Sequence, residues 1–342
     1  MTKNKKNFND KLVGVNATEP GIDQSWKQDN QAWWDWYVTL AYNPDKSNNK
    51  SLLNLPPLPN IKLPSDNEIE IELTKPYKIT KAESDTFLND GFIKLPNVLS
   101  PGSVFRLRHE LIKMLDKKFS KSKKEKINNR FLSLEMMWLE NMIIRKYVLS
   151  SRIAKICANL LNVESVRLYH DNALAKEPGC GRTPWHFDDH HFPLATDKVV
   201  TAWIPAQPIP KEMGPLAFAK PLSVHELVKN IEFNKFDTSY DEKIIKTFND
   251  NNVFIENTPF EIGEVSFHHN LCFHTADSNK TDRSRIVLAN TYFANGARVV
   301  NQPTMVSGDW QKFIPGVSPG EIVSSELNPI CWPDKKNSKP HE

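Results

Sequence analysis

Four cysteines in 342 residues (Cys157, Cys180, Cys272 and Cys331) lie far apart, and none stands in a CxxC pair. That spacing argues against a cysteine zinc site and against a disulfide scaffold. No apolar run approaches the roughly 20 residues that a membrane-spanning helix needs. Met1 to Asp10 is polar and lacks an apolar h-region, so no export signal is expected. The expectation is a cytoplasmic chain with reduced thiols and no membrane contact. Charge of one sign is also scarce. A net +3 over this length offers no basic stripe of the kind nucleic-acid binding requires. No internal repeat is evident.

What is present reads as an ordinary globular composition, long enough for one large domain or two modest ones. Residues 1–79 differ from the rest. They hold a tryptophan-rich stretch (Trp26, Trp33, Trp34 and Trp36) and then a segment rich in Pro, Asn and Ser. The tryptophans lack interleaved Lys or Arg, so packing onto a main domain is preferred over base stacking. The second segment reads as a linker or surface loop. From 80 onward the pattern is globular, and 80–305 is taken as the main domain. Thr80 with Glu83 forms a capping box, and Asp90-Gly91 ends that helix. Phe92 to Leu95 reads as a strand, and a helix starts at Ser100-Pro101. Helices are also expected over 131–149 and 153–161. Lys117 to Lys126 is a basic run, read as a solvated face.

After Val166 short β-type runs alternate with Pro and Gly turns: 166–169, 185–188, 199–204, 215–218, 265–268 and 285–293. This spacing predicts a mainly β core, a jelly roll or barrel with flanking N-terminal helices. The charged segment 224–252 reads as an insertion over one end, and 306–342 as a C-terminal tail.

The chemistry concentrates at Trp185-His186-Phe187-Asp188. In a strand, residues two apart share a face, so His186 and Asp188 project together and Phe187 points away. With a second histidine they would form the facial triad of two imidazoles and one carboxylate, which leaves positions open on iron(II). His274 is the candidate for that histidine. Eleven residues later Arg285 opens a strand on which Arg285, Val287, Ala289 and Thr291 share one face. An arginine on an inward apolar face needs an anionic partner. A dicarboxylate such as 2-oxoglutarate supplies one, chelating the metal at one end and reaching the guanidinium with the other.

His186-x-Asp188, His274 and Arg285 in this order resemble the phytanoyl-CoA dioxygenase family of Fe(II)/2-oxoglutarate oxygenases. So do Lys176-Glu177-Pro178-Gly179, Ala202-Trp203-Ile204-Pro205, Met213-Gly214-Pro215-Leu216, and the run from His274 through Asn279 to Arg285. The resemblance spans roughly 80–300. It implies a double-stranded β-helix, Fe(II), and 2-oxoglutarate and O2 as cosubstrates. It implies that His186, Asp188 and His274 are iron ligands and that Arg285 binds the distal carboxylate, with Asn172 and Trp203 touching the cosubstrate. The implied reaction is hydroxylation of a small molecule, with succinate and CO2 as coproducts. Desaturation or cyclisation is the alternative outcome. The presence of Asp188 argues against halogenation, which needs a small residue there. Two departures stand out, the first being Ala219-Lys220-Pro221-Leu222-Ser223 where the family often has a PGSH-like turn. In the second, Ala276 replaces the Ser or Thr that often adds a polar contact two residues after the distal histidine.

Other residues compete for these roles. His190, His191, His268 and His269 could line the site, but capping strand ends at its mouth is preferred for His268 and His269. Asp189 faces away in a regular strand, and Arg283 is read as a surface ion pair. A non-catalytic binder on the same scaffold and a zinc hydrolase are the other function classes. The complete triad together with Arg285 argues against the first, and the second has no use for Arg285.

Overall fold

The computed structural model describes residues 62–119, 131–231, 238–303 and 310–333. The tryptophan-rich segment and most of the basic run lie outside them. Five helices lead into the sheets: α1 (Asp66–Thr74), α2 (Lys81–Asp90), α3 (Pro101–Phe119), α4 (Met142–Val148) and α5 (Ser151–Leu161). The start of α2 is set by the expected capping box: the Thr80 hydroxyl accepts from the Glu83 amide, and the Glu83 carboxylate accepts from the Thr80 amide. Its end is set by Gly91 at φ +81°. A Cβ there would be strained by the left-handed backbone and would come within 2.7 Å of Leu222 Cδ1, which would have to move aside.

The core is two antiparallel sheets. The larger runs β1 (Phe92–Leu95), β8 (Val265–His269), β5 (Val199–Pro205), β10 (Arg285–Ala294), β3 (Val166–Lys176) and β11 (Ile330–Trp332), with β2 (Phe131–Glu135) also on β3. The smaller runs β4 (Thr183–His186), β9 (His274–Ala276), β6 (Leu216–Lys220) and β7 (Phe254–Glu256). This is the expected jelly roll, two facing sheets around a shared interior. Strand alternation divides the large sheet cleanly. Ile286, Leu288 and Tyr292 of β10 pack outward into the helical core with Leu107, Leu111 and Ile153. Val287 and Ala289 face inward with Trp203, Leu216 and Phe218.

Two expectations change. Residues 131–149 do not form one helix. Phe131–Glu135 pairs antiparallel with Asn172 to Lys176, Met137–Leu139 is a short 3-10 turn, and only Met142–Val148 is α-helical. Pairing with a distant strand outweighs local helical preference here. The second concerns β4, which stops at His186, so Asp188 starts a 3-10 turn. Phe187 between them stays extended (φ −131°, ψ 149°), so the alternation of His186 and Asp188 survives.

Within 224–252, a short helix α6 (His225–Val228) and a longer α7 (Ser239–Asp250) cover the outside of β4. Tyr240, Ile244 and Phe248 pack on Trp185, Phe187 and Phe273. Asp241 accepts from the Trp185 amide at 2.7 Å and pairs with Arg182. Among the described residues all four cysteines are free and buried, and no helix is long and apolar enough to cross a membrane.

Candidate functional site

His186 and His274 are direct cross-strand partners at the β4–β9 pairing. Their rings therefore lie 4.1 Å apart. Asp188 follows from the turn after β4. One ligating atom from each of His186, Asp188 and His274 lies within 4.8 Å of the others, a spacing that fits a single metal ion.

The surroundings settle which atoms point inward. His186 Nδ1 donates to the Pro184 carbonyl at 2.8 Å, and His274 Nδ1 to the Cys272 carbonyl at 3.0 Å. Each ring is thereby held in the tautomer that leaves Nε2 as a lone-pair donor. Burial pushes both imidazoles below their ordinary range, against the opposing pull of the Asp188 carboxylate. On Asp188, Oδ2 accepts from Thr201 Oγ1 at 3.1 Å and lies 3.3 Å from His268 Nε2. The Thr201 hydroxyl spends its proton on Asp188, so it accepts from Thr291 at 3.0 Å. Asp188 Oδ1 lies 3.6 Å from His274 Nε2 and remains for a metal. Burial alone would raise the Asp188 carboxyl. The His274, His268 and His186 rings overcome that and hold it well below the carboxylate range.

A cavity of about 120 Å³ runs from this cluster to Arg285. Trp203, Leu216, Ala276 and Leu174 line that arm. Arg285 is 1% exposed. Its Nη1 donates to the Gly214 carbonyl at 2.6 Å, its Nε has no partner, and its guanidinium lies 5.4 Å from the Trp203 ring. Among the described residues it has no acidic partner. Burial pushes it down to about 10, still charged at neutral pH. A buried cation without a counter-ion beside a metal-competent triad is the arrangement a chelating dicarboxylate would complete. Asn172 also lines the cavity, and its carbonyl accepts from Ser133 at 3.0 Å, which leaves the amide N–H groups for a ligand. Ala276 lines the same arm and adds no polar contact.

Three residues that sequence reasoning undervalued belong here. His268 lines the cavity beside Asp188, contrary to the expectation of a strand cap, whereas His269 does close a turn, accepting from the Leu271 amide at 3.2 Å. Register decides between them: His268 pairs with Thr201 and His269 with Val200. Lys176 is fully buried opposite Arg285 and donates to the Ala276 and Asp277 carbonyls at 2.9 Å each. Thr201 carried no motif signal at all. His191 lines the cavity, and the His190 side chain lies outside the described set. Asp189 turns away and accepts from Asn270 at 2.7 Å. Arg283 is a surface residue paired with Asp282 at 3.7 Å. Asn279 ties the loop between His274 and Arg285, donating to the carbonyls of Lys176 (3.0 Å) and Arg283 (2.7 Å).

Gly214 couples the loop to the cavity. It sits at φ +73°, and a Cβ there would approach the Asp277 carbonyl oxygen to 2.1 Å. Gly214→Ala should cost about 1–3 kcal/mol from the left-handed backbone alone. A lowered melting temperature by scanning fluorimetry checks this; an unchanged melt would contradict the packing described.

A jelly roll with two histidines and a carboxylate converging at one end of a cavity, and a buried arginine at the other, defines the non-haem iron, 2-oxoglutarate-dependent oxygenase class. Residues 87–287 match the phytanoyl-CoA dioxygenase (PhyH) family model, and the chain belongs to that family. It is accordingly an oxidoreductase that uses Fe(II), 2-oxoglutarate and O2. No curated protein matches it in sequence. Among solved structures, the non-heme alpha-ketoglutarate-dependent carbocyclase SnoK from nogalamycin biosynthesis is 21% identical with a TM-score of 0.58, over 75% of this chain and 99% of that one. The epimerase SnoN from the same biosynthesis gives 21% and 0.56, over 73% and 98%. EctD from S. alaskensis with bound Fe gives 16% and 0.57, over 75% and 92%. At these identities the likeness is one of fold.

Proposed function

We propose that the chain hydroxylates a C–H bond of a small molecule, with Fe(II) held by His186 Nε2, Asp188 Oδ1 and His274 Nε2. Arg285 would receive the distal carboxylate of 2-oxoglutarate, with Trp203 against the cosubstrate chain and Asn172 beside it. The observation that carries this reading is Arg285, a buried cation with no acidic partner among the described residues, facing the triad across one cavity. When bound, Fe(II) supplies O2 activation coupled to decarboxylation of 2-oxoglutarate. The chain's own residues do the rest. The tautomers of His186 and His274 are fixed by carbonyls, Thr201 and His268 hold Asp188 by one oxygen, and Leu174, Trp203 and Leu216 exclude water from the cosubstrate arm. Asp188 itself favours hydroxylation over halogenation, because no ligand position is opened by a small residue.

The test is an anaerobic titration with Fe(II) and 2-oxoglutarate followed by succinate assay in air. A visible charge-transfer band and oxygen-dependent succinate are expected. Absence of both would sink the reading. His268→Phe keeps an aromatic ring of similar size but removes the donor to Asp188. Fe(II) affinity should fall about 10- to 100-fold, the usual effect of losing a partner of a metal ligand. His268→Gln should restore part of it, and equilibrium dialysis of the metal is the readout.

A further inference from the structure

Beyond the triad the cavity ends in a second wall, lined by Glu135 of β2, His170 of β3, and His191 and Phe192 after β4. Part of this wall is backed by residues 310–333, which lie past the 87–287 that match the family. Lys312 Nζ donates to Glu135 Oε2 at 2.7 Å. Phe313 stacks on His170 with ring centroids 4.6 Å apart and planes 29° apart. Asn328 pins the segment in place: its amide donates to the carbonyls of Leu168 (3.1 Å), Tyr169 (3.4 Å) and Phe313 (3.1 Å). β11 completes the attachment by pairing with the start of β3.

The charges that line this wall are one-sided, and the cation behind it, Lys312, is already engaged by Glu135. Among the described residues that line the cavity, Arg285 at the far arm is the only Lys or Arg, and the acids are Asp188 and Glu135. Burial pushes His170 and His191 each down to about 4, so neither adds positive charge near neutral pH. Lys312 engages only Oε2 of Glu135, and among the described residues no hydrogen bond reaches Oε1. A substrate phosphate or carboxylate at this wall would meet a carboxylate and no free cation. A protonated amine would meet an acceptor with one oxygen still to be satisfied, in surroundings where burial strengthens the attraction. The ring of Phe192, edge-on to Tyr169 at 4.9 Å, adds an aromatic neighbour suited to a cation.

We propose that this wall is the substrate-recognition site for a protonated amine, with Glu135 Oε1 as its acceptor and Lys312 of the C-terminal segment holding the other oxygen. The proposal rests on the oxygenase reading and names its substrate class. Small amines and amino-acid-like cations belong to it, and phosphorylated compounds and acyl-CoA thioesters do not.

The test uses the full chain loaded anaerobically with Fe(II) and 2-oxoglutarate, with cadaverine, L-lysine and L-ornithine as amine probes. N,N′-diacetylcadaverine, which has no ionisable amine, glutarate and glycerol 3-phosphate are the comparison set. Amine probes are expected to perturb the charge-transfer band and to stimulate succinate release in air; the comparison compounds are not. Glu135→Gln should raise the amine KM about 10- to 100-fold, the loss of one charge-assisted hydrogen bond, while 2-oxoglutarate affinity stays unchanged. Lys312→Met removes the group that holds Glu135 Oε2 and opposes the upward push of burial on its carboxyl, so the amine KM should rise several-fold. The proposal falls if no amine stimulates, if glutarate or glycerol 3-phosphate does so equally, or if both variants leave the amine KM untouched. A wild-type protein with no band at all overturns the oxygenase reading instead, and this one with it.

Discussion

Asp188→Ala is expected to leave a folded protein with no detectable succinate release and Fe(II) affinity lowered by more than about 100-fold, the upper end for losing a mere partner of a ligand. The size follows from the geometry. Asp188 is the only anion in the cluster of ligating atoms, and His186 and His274 alone cannot neutralise a divalent ion. The change also leaves Thr201 Oγ1 and His268 Nε2 without their acceptor, so a modest loss of thermal stability should accompany it. Asp188→Asn keeps the shape and the Thr201 bond but not the charge, and separates the two effects. If Asp188→Ala turned over 2-oxoglutarate at the wild-type rate, the carboxylate ligand would have to be sought elsewhere. Asp189 is no replacement, since it is already engaged by Asn270.

The second large effect is at Arg285. Arg285→Met should raise the 2-oxoglutarate Kd by about 2–5 kcal/mol, the cost of truncating one member of a buried charge pair. That corresponds to a range from about 30-fold to several thousandfold. Fe(II) binding should be unaffected, because Arg285 lies at the other end of the cavity arm. Stability should move the opposite way from most core substitutions. Arg285 is a buried cation that donates to the Gly214 carbonyl while its Nε has no partner, and an apolar side chain of similar length removes that desolvation cost. The ligand-free variant is therefore expected to melt no lower than wild type, yet to lose the rise in melting temperature that 2-oxoglutarate gives. Scanning fluorimetry with and without the cosubstrate reads both. A variant that melts much lower but still gains from 2-oxoglutarate would make Arg285 a packing residue. Arg285→Lys should fall between the two, since an ammonium lacks the planar fork.

The sequence carried this site unevenly, for physical reasons. The inward face of β10 was legible because alternation is local: Arg285, Val287, Ala289 and Thr291 needed only their own spacing. The ends of α2 were legible because capping chemistry is local too. Phe131–Glu135 was not, because its strand character comes from β3, far along the chain, and its own residues and the Met-rich run after it suit a helix equally. That misreading hid Glu135. His268 was hidden for a related reason. Two adjacent histidines at a strand end point to opposite faces, and only the pairing with β5 says which one faces Asp188. The segment 310–333 fell outside every motif, so its contact with the cavity wall had no sequence signal.

The cross-strand pairing of His186 with His274 has a consequence for the lifetime of the molecule. The two segments are distant in the chain, and contacts of high sequence separation form late because their loops must close first. On the proposed ligand set, the metal binds only after this closure and binds no partly folded form well. Iron then acts as a mass-action clamp on the finished fold, contributing about 2.7 kcal/mol at a hundredfold excess over its Kd. A chain synthesised under iron starvation would open more often at β4 and β9, and proteases would find it sooner. The supply of metal would govern how much of the protein survives as well as how fast each copy works.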